Sequence, residues 1–124
     1  MAHHVLRVRG ELRRAHVEAV GADVFVSLGN DPAAELIDAA GGRPDIVVEA
    51  AGVPGSLAQA IATVRPRGTV LVLGWCTQPD SFVPSVAVMK QVRLQFSMTY
   101  GLHDFERVVE TLATGVTEHR SMIT

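Results

Sequence analysis

Four arginines crowd the first fourteen residues, Arg7, Arg9, Arg13 and Arg14. Arg9 and Arg13 stand at, and just after, the end of the short apolar run Val5 to Val8. A guanidinium there presents a fork of donors that suits a ribose 2′-phosphate, whereas an acid would read a free 2′-hydroxyl. The run ends Val8, Arg9, Gly10, Glu11, with no acid at its tip. A solvated arginine cluster accounts for the same residues equally well, so both readings stand. Gly52 and Gly74 each follow an apolar run. A glycine there lets a flat ligand approach the backbone with no Cβ in the way, although glycine also ends strands for purely structural reasons.

Other constellations are absent from the sequence. There is no G-x-G-x-x-G, no Walker A sequence and no H-E-x-x-H. Gly52-Val53-Pro54-Gly55 is a G-x-x-G fragment at a helix start, a weak phosphate signal by itself. The five histidines are scattered. His16 reads as a helix-face residue, and His103 beside Asp104 as helix-start chemistry. Cys76 is the single cysteine, which excludes a disulfide within the chain and any Cys-rich metal site. It reads as a small core residue. Glu49 has no evident second acid or histidine partner, so no chemistry is assigned to it.

The elements that must hold these residues alternate regularly. Val5 to Val8, Asp23 to Leu28, Asp45 to Glu49, Thr69 to Leu73 and Val92 to Met98 read as strands. Between the first two, Glu11 to Val20 sets Leu12, Ala15, His16, Ala19 and Val20 on one helical stripe, ended by Gly21. Asp31 and Pro32 open a second helix with Ala33, Leu36, Ile37 and Ala40 on a face, stopped by Gly41-Gly42. Pro54 to Val64 forms a third, facing Leu57, Ala60, Ile61 and Val64 inward. Thr69 to Leu73 is the continuous apolar kind of strand covered on both faces of a parallel sheet. Trp75 to Met89, with Pro79 and Pro84, reads as a loop. Asp104 to Thr114 is a last helix with Phe105, Val108, Val109 and Leu112 inward.

The fold class is therefore α/β: a parallel sheet flanked by helices and joined by right-handed crossovers. Ligands of such sheets bind outside the carboxyl ends of the strands. That singles out Arg9, Leu28-Gly29, Ala51-Gly52, Gly74-Trp75 and Ser97-Met98. With 124 residues, 48% hydrophobic and 19% charged, the chain is expected to be one domain over 1–124 and not disordered. A net charge of −2 gives no nucleic-acid footprint. The run Thr69 to Cys76 is too short to span a bilayer, and Met1 to His4 has no secretory apolar core. A cytoplasmic protein is expected.

Taken in order, several segments resemble one family: Gly21-Ala22-Asp23, Pro44 to Gly52 (PDIVVEAAG), Val64 to Gly74 (VRPRGTVLVLG), Met89 to Leu94 (MKQVRL), Tyr100 to Gly115, and Met122-Ile123-Thr124. Together the set is similar to the nucleotide-binding domain of the zinc-dependent alcohol dehydrogenases of the medium-chain dehydrogenase/reductase superfamily. The resemblance implies a Rossmann fold, NAD(P) binding and hydride transfer to or from an alcohol or carbonyl. It also implies a role for each residue. Arg9 falls just after the ribose-reading position and Arg13 near the adenosine ribose. Ala51 and Gly52 form the wall beside adenine and ribose. Leu73, Gly74 and Trp75, with Ser97 and Met98, supply the backbone that holds the nicotinamide carboxamide. Val92 to Met98 matches an edge strand that pairs with its copy in a homodimer.

The departures shape the rest of the expectation. The resemblance begins at the family's second strand, so the Rossmann sheet is expected to be incomplete, lacking the first strand-turn-helix unit and its glycine-rich phosphate loop. Zinc belongs to a catalytic domain that these residues do not resemble, and no catalytic or metal-binding residue is assigned. Val8 replaces the usual ribose-binding acid, which tilts the cofactor toward NADP; Gln91 and Phe96 stand where Glu and Gly are common. Turnover by this chain alone is not expected, and its cofactor binding is expected to be weak. The alternative is a non-catalytic Rossmann-like self-association or interaction module. A phospho-acceptor regulator is disfavoured because Asp23 and Asp45 sit at strand starts. In the family's strand order the missing strand is central, so its neighbours are expected to show unpaired edges and the chain to be marginally stable.

Overall fold

A computed structural model describes the backbone of Val5–Arg7 and residues 14–27 and 29–115. These fall into two compact units. One takes the chain before Gly29 together with the segment from Thr99 onward, and the other is Gly29–Met98.

In the first unit, β1 (Val5–Arg7) lies parallel to β2 (Val24–Val26), with Leu6 opposite Phe25. Helix α1 (Arg14–Ala19) packs on β2. It buries Val17, and Arg14 lies over the Phe25 ring at 4.4 Å. The expected stripe is thus rotated: Ala15 and Ala19 face water and Val17 faces in. Among the described residues of α1, Val17 is the buried one, and the helix packs on β2. Leu12 and the rest of the expected start lie outside the described residues. Gly21, at φ +92°, ends the helix as read. Helix α5 (Leu102–Ala113) opens with the Gly101 amide donating to Asp104 Oδ2 at 2.9 Å. His103 sits on its first turn, 3.3 Å from Glu106 and almost wholly exposed. Phe105, Val108 and Val109, expected inward, are half-exposed. Their stripe is real, but the described residues do not cover it.

In the second unit, α2 (Pro32–Ala39) starts as the sequence predicts. Pro32 takes the first turn and Asp31 Oδ1 accepts from the Ala34 amide at 3.1 Å. Gly41 and Gly42, both at positive φ, end it. A three-stranded parallel sheet follows in the order β3 (Ile46–Glu49), β4 (Thr69–Val72), β5 (Arg93–Phe96). Val47 pairs with Val70 and Val70 with Leu94. Helix α3 (Ser56–Thr63) lies on one face of this sheet, because Leu57 and Ile61, one turn apart, and Ala60 share a face that meets the period-two residues Val70 and Val72. Ala60, Ile61, Val64, Val70 and Val72 form the core, and Val47, Leu57, Phe82, Ala87, Val92 and Leu94 pack around it. Ile46 and Val48 point to the other face and are more than half exposed. Within its own unit, then, β4 is covered on one face and not on both.

The segment expected as a loop contains a helix, α4 (Pro84–Lys90). Pro84 is its first residue, where the missing amide costs nothing, so a residue that reads as a breaker is a start signal here. Gln91, at φ +52°, closes it. Lys90 Nζ donates to the Ile61 and Ala62 carbonyls at 2.6 and 3.1 Å, and Arg43 also donates to Ala62 O. Both cations thus cap the carboxyl end of α3. Burial, and then the nearby Arg43 charge, hold the Lys90 ammonium below the ordinary lysine range.

Every described strand pair is parallel, and helices separate the strands, so the α/β parallel architecture expected from the sequence is present. The strands form two sheets rather than one. β1 pairs with β2, and the other sheet ends on β3. On its side away from β4, β3 pairs with no strand among the described residues.

Candidate functional site

The carboxyl ends of β3, β4 and β5 lie side by side because the three strands are parallel and in register. A cleft of about 400 Å³ opens there, lined by Val72, Leu73, Gly74, Trp75, Phe96, Ser97 and Met98. A second cleft of about 290 Å³ shares Val72, Gly74, Trp75 and Phe96, and adds Glu49, Ser56, Leu57, Cys76, Gln78 and Asp80. The first volume is at the lower end of the range of small-ligand sites, roughly 300–1,000 Å³, and the second falls just below it. Trp75, Phe96 and Met98 are largely exposed around the opening, an apolar rim on a backbone floor.

That floor is built by close main-chain contact. The Leu73 and Gly74 amides both donate to the Glu49 carbonyl, at 2.7 and 3.0 Å, and the Ser97 amide to the Val72 carbonyl at 3.1 Å. Gly52 turns at φ +61°, and a Cβ there would sit 2.7 Å from Trp75 N. A Cβ on Gly74 would sit 2.4 Å from both Gly52 N and Glu49 Oε2. These two glycines are therefore required by contact between the strand tips, a stronger reason than strand termination. Glu49 is buried, and its Oε1 accepts from the Ala51 and Gly52 amides at 2.8 and 2.9 Å.

Of the residues singled out from the sequence, Leu73, Gly74, Trp75, Ser97 and Met98 line the first cleft together. Ala51 and Gly52 stand behind it, bound to Glu49 and pressed on Trp75. Arg9 and Arg13 lie outside the described residues, so the phosphate reading of the arginines has no geometry. Cys76, expected in the core, is half-buried in the second cleft, with its thiol 3.4 Å from Gln78 O. The G-x-x-G fragment has its own internal partner: the Gly55 amide, at the start of α3, donates to Asp80 Oδ1 at 2.7 Å. Asp80 was not singled out from the sequence. Its signal was indirect, since a helix opened by glycine lacks a side-chain cap and some distant acid has to supply one. Among the described residues no three His, Cys, Asp or Glu side chains gather as a metal site, so nothing here fits zinc.

The comparisons with known proteins agree with this architecture. Residues 3–114 match the family of zinc-binding dehydrogenases, and the chain belongs to that family. A probable alcohol dehydrogenase of Mycobacterium tuberculosis is 34% identical over 108 residues, which is 83% of this chain and 29% of that relative. The alcohol dehydrogenase RspB of Escherichia coli, solved with NADH, superposes with a TM-score of 0.84 at 19% identity over 96% of this chain and 35% of its own, a likeness of fold. A zinc-binding dehydrogenase of Sinorhizobium meliloti bound to NADP gives 0.77 at 26% identity over 94% of this chain and 36% of its own. The chain thus spans about 30% of the length of the relatives it matches. Among the described residues no helix is long and apolar enough to cross a membrane.

Proposed function

We propose that this chain is the cofactor-binding part of a zinc-type NAD(P)-dependent alcohol dehydrogenase, and that its cleft holds the nicotinamide dinucleotide. One observation carries the reading: Gly74, Trp75, Ser97 and Met98, chosen for strand-end position, converge with Leu73 on one cleft with an apolar rim and a Cβ-free floor. The cofactor supplies the hydride. The chain's own residues bind and orient. The backbone of Leu73, Gly74 and Trp75, with Ser97 and Met98, holds the carboxamide, and Ala51 and Gly52 wall the adenosine side. No zinc step involves the described residues. The two compact units are read as pieces of one nucleotide-binding domain, since a single family match runs through both.

Affinity in the isolated chain is expected near the millimolar range, about −4 kcal/mol. The Gly55 amide at the start of α3 is already taken by Asp80, so this donor is not free for the pyrophosphate. Arg9 and Arg13 favour NADP over NAD. A homodimer through the edge strand Val92 to Met98 and a cytoplasmic location complete the reading. Among the described residues no strand pairs with β5 on the side away from β4, which supports the dimer. The interaction-module alternative draws no support from relatives that are dehydrogenases.

Calorimetric titration with NADPH and NADH tests the proposal. Heat that saturates with either cofactor, larger affinity falling to NADPH, is the expected result. Tighter NADH binding would remove the Arg9 assignment. No heat with either at about 10 mM, well above the expected constant, would overturn the cofactor reading. Sedimentation velocity across concentration tests the dimer, and a monomer throughout would refute it.

A further inference from the structure

Glu49 is a carboxylate with 7% exposure that the cofactor reading leaves without a task. Its contacts reach the tips of β3 and β4. Oε1 accepts from Ala51 N and Gly52 N at 2.8 and 2.9 Å. Its own carbonyl accepts from Leu73 N and Gly74 N at 2.7 and 3.0 Å. Oε2 lies against Gly74, so closely that a Cβ there would be 2.4 Å from it. It also faces the second cleft.

A buried carboxylate is costly unless donors replace its water. Here the replacement donors are two amides of one turn, both received by the single oxygen Oε1. That turn is one the chain would not hold unaided. Gly52 is left-handed at φ +61°, and its backbone presses on that of Trp75. A generic polar residue at the end of β3 would satisfy neither amide at this depth. The side chain must be long enough to double back two and three residues and must carry an acceptor at its end.

We propose that Glu49 is a positioning residue. Its carboxylate locks the Ala51–Gly52 turn against Gly74–Trp75, so that the rim of the cleft is formed before the cofactor arrives. The acceptor geometry does this work, and the net charge does not. The proposal rests on the cofactor reading above.

The test uses the 15N-labelled full chain and the variants E49Q, E49D and E49A. Two readouts are taken: the Ala51 and Gly52 amide resonances with their exchange rates, and the NADH dissociation constant. E49Q keeps the acceptor and loses the charge. It should keep both amide resonances close to their parent positions and bind NADH within about twofold of the parent. E49D keeps the charge and withdraws the acceptor by one methylene. Its two amides should shift and exchange faster, and NADH binding should weaken about tenfold, the scale of one displaced buried hydrogen bond. E49A should show the same changes, larger. If E49A does not fold, the Gln and Asp variants decide. A role that only stabilised the fold would lower the unfolding midpoint without moving the NADH constant of the folded fraction, and that result overturns the proposal. So does the reverse order, with E49D like the parent and E49Q impaired. If the parent binds no NADH, the cofactor reading fails, while the amide resonances still report whether Glu49 holds the turn.

Discussion

Gly52 and Gly41 share a left-handed backbone, at φ +61° and +70°, and differ in what surrounds them. A methyl group on Gly41 meets nothing within 4 Å, whereas on Gly52 it falls 2.7 Å from Trp75 N and 2.9 Å from Trp75 C. Gly41→Ala should therefore cost only the left-handed penalty, about 1–2 kcal/mol. Gly52→Ala should cost that plus an overpacking contribution of about 1–3 kcal/mol, since backbone on backbone cannot turn aside. Gly74→Ala separates the second contribution from the first. Its φ is not left-handed, yet its Cβ would lie 2.4 Å from Gly52 N, so its loss is steric alone. For a urea slope of about 2 kcal/mol per molar, the overpacking contribution should lower the Gly52→Ala midpoint by roughly 0.5–1.5 M beyond the fall seen for Gly41→Ala. The assay is urea unfolding followed by the emission of Trp75, the single tryptophan, which sits at the contact. Equal midpoints for Gly41→Ala and Gly52→Ala, with unchanged Trp75 emission in the folded state, would refute the claim that the strand tips touch through these glycines.

Three smaller perturbations follow from other contacts. Asp31→Ala removes the acceptor from the Ala34 amide and should cost about 1 kcal/mol in thermal or urea unfolding, with Asp31→Asn nearly neutral. Asp80→Ala frees the Gly55 amide and should also lower stability by about 1 kcal/mol, while Asp80→Asn should recover most of it. Lys90 is held below its ordinary value of 10.5 by burial first and Arg43 second, so in the window between its folded value and 10.5 the unfolded chain binds more protons. Its contribution to stability should rise with pH through that window. The unfolding free energy of the parent relative to Lys90→Met should therefore increase from neutral to alkaline pH, and a flat or falling difference would contradict the burial of the ammonium.

Much of the fold could be read because its signals were local. The strand at Thr69 is a run of apolar β-formers, Asp31-Pro32 carries a cap and a first-turn proline side by side, and glycines close α1 and α2. The clefts were legible for the same reason, since in a parallel sheet the strand tips follow from the strands. What escaped depends on contacts distant in sequence. Helix α4 is seven residues long and begins with a proline, so its pattern is too short to outweigh the breaker. Asp80 caps a helix that begins 25 residues earlier in the chain, and no spacing rule reaches that far. Glu49 was visible as an acid at a strand end, but its partners are main-chain amides, which no residue type announces. The inner face of α1 differs from the expected stripe because its buried valine, Val17, is set by packing on β2, a contact the helix's own pattern does not contain.

The central claim is that the tips of β4 and β5 receive a nicotinamide dinucleotide. The most direct measurement is a 15N NMR titration of the full chain with NADH. The Trp75 indole and the Gly52, Gly74, Ser97 and Met98 amides should shift together along one saturating curve, while Lys90 and Gln91, at the opposite end of the strands, stay still. A titration in which those cleft resonances do not move at about 10 mM NADH, or in which other residues move in their place, would contradict the account.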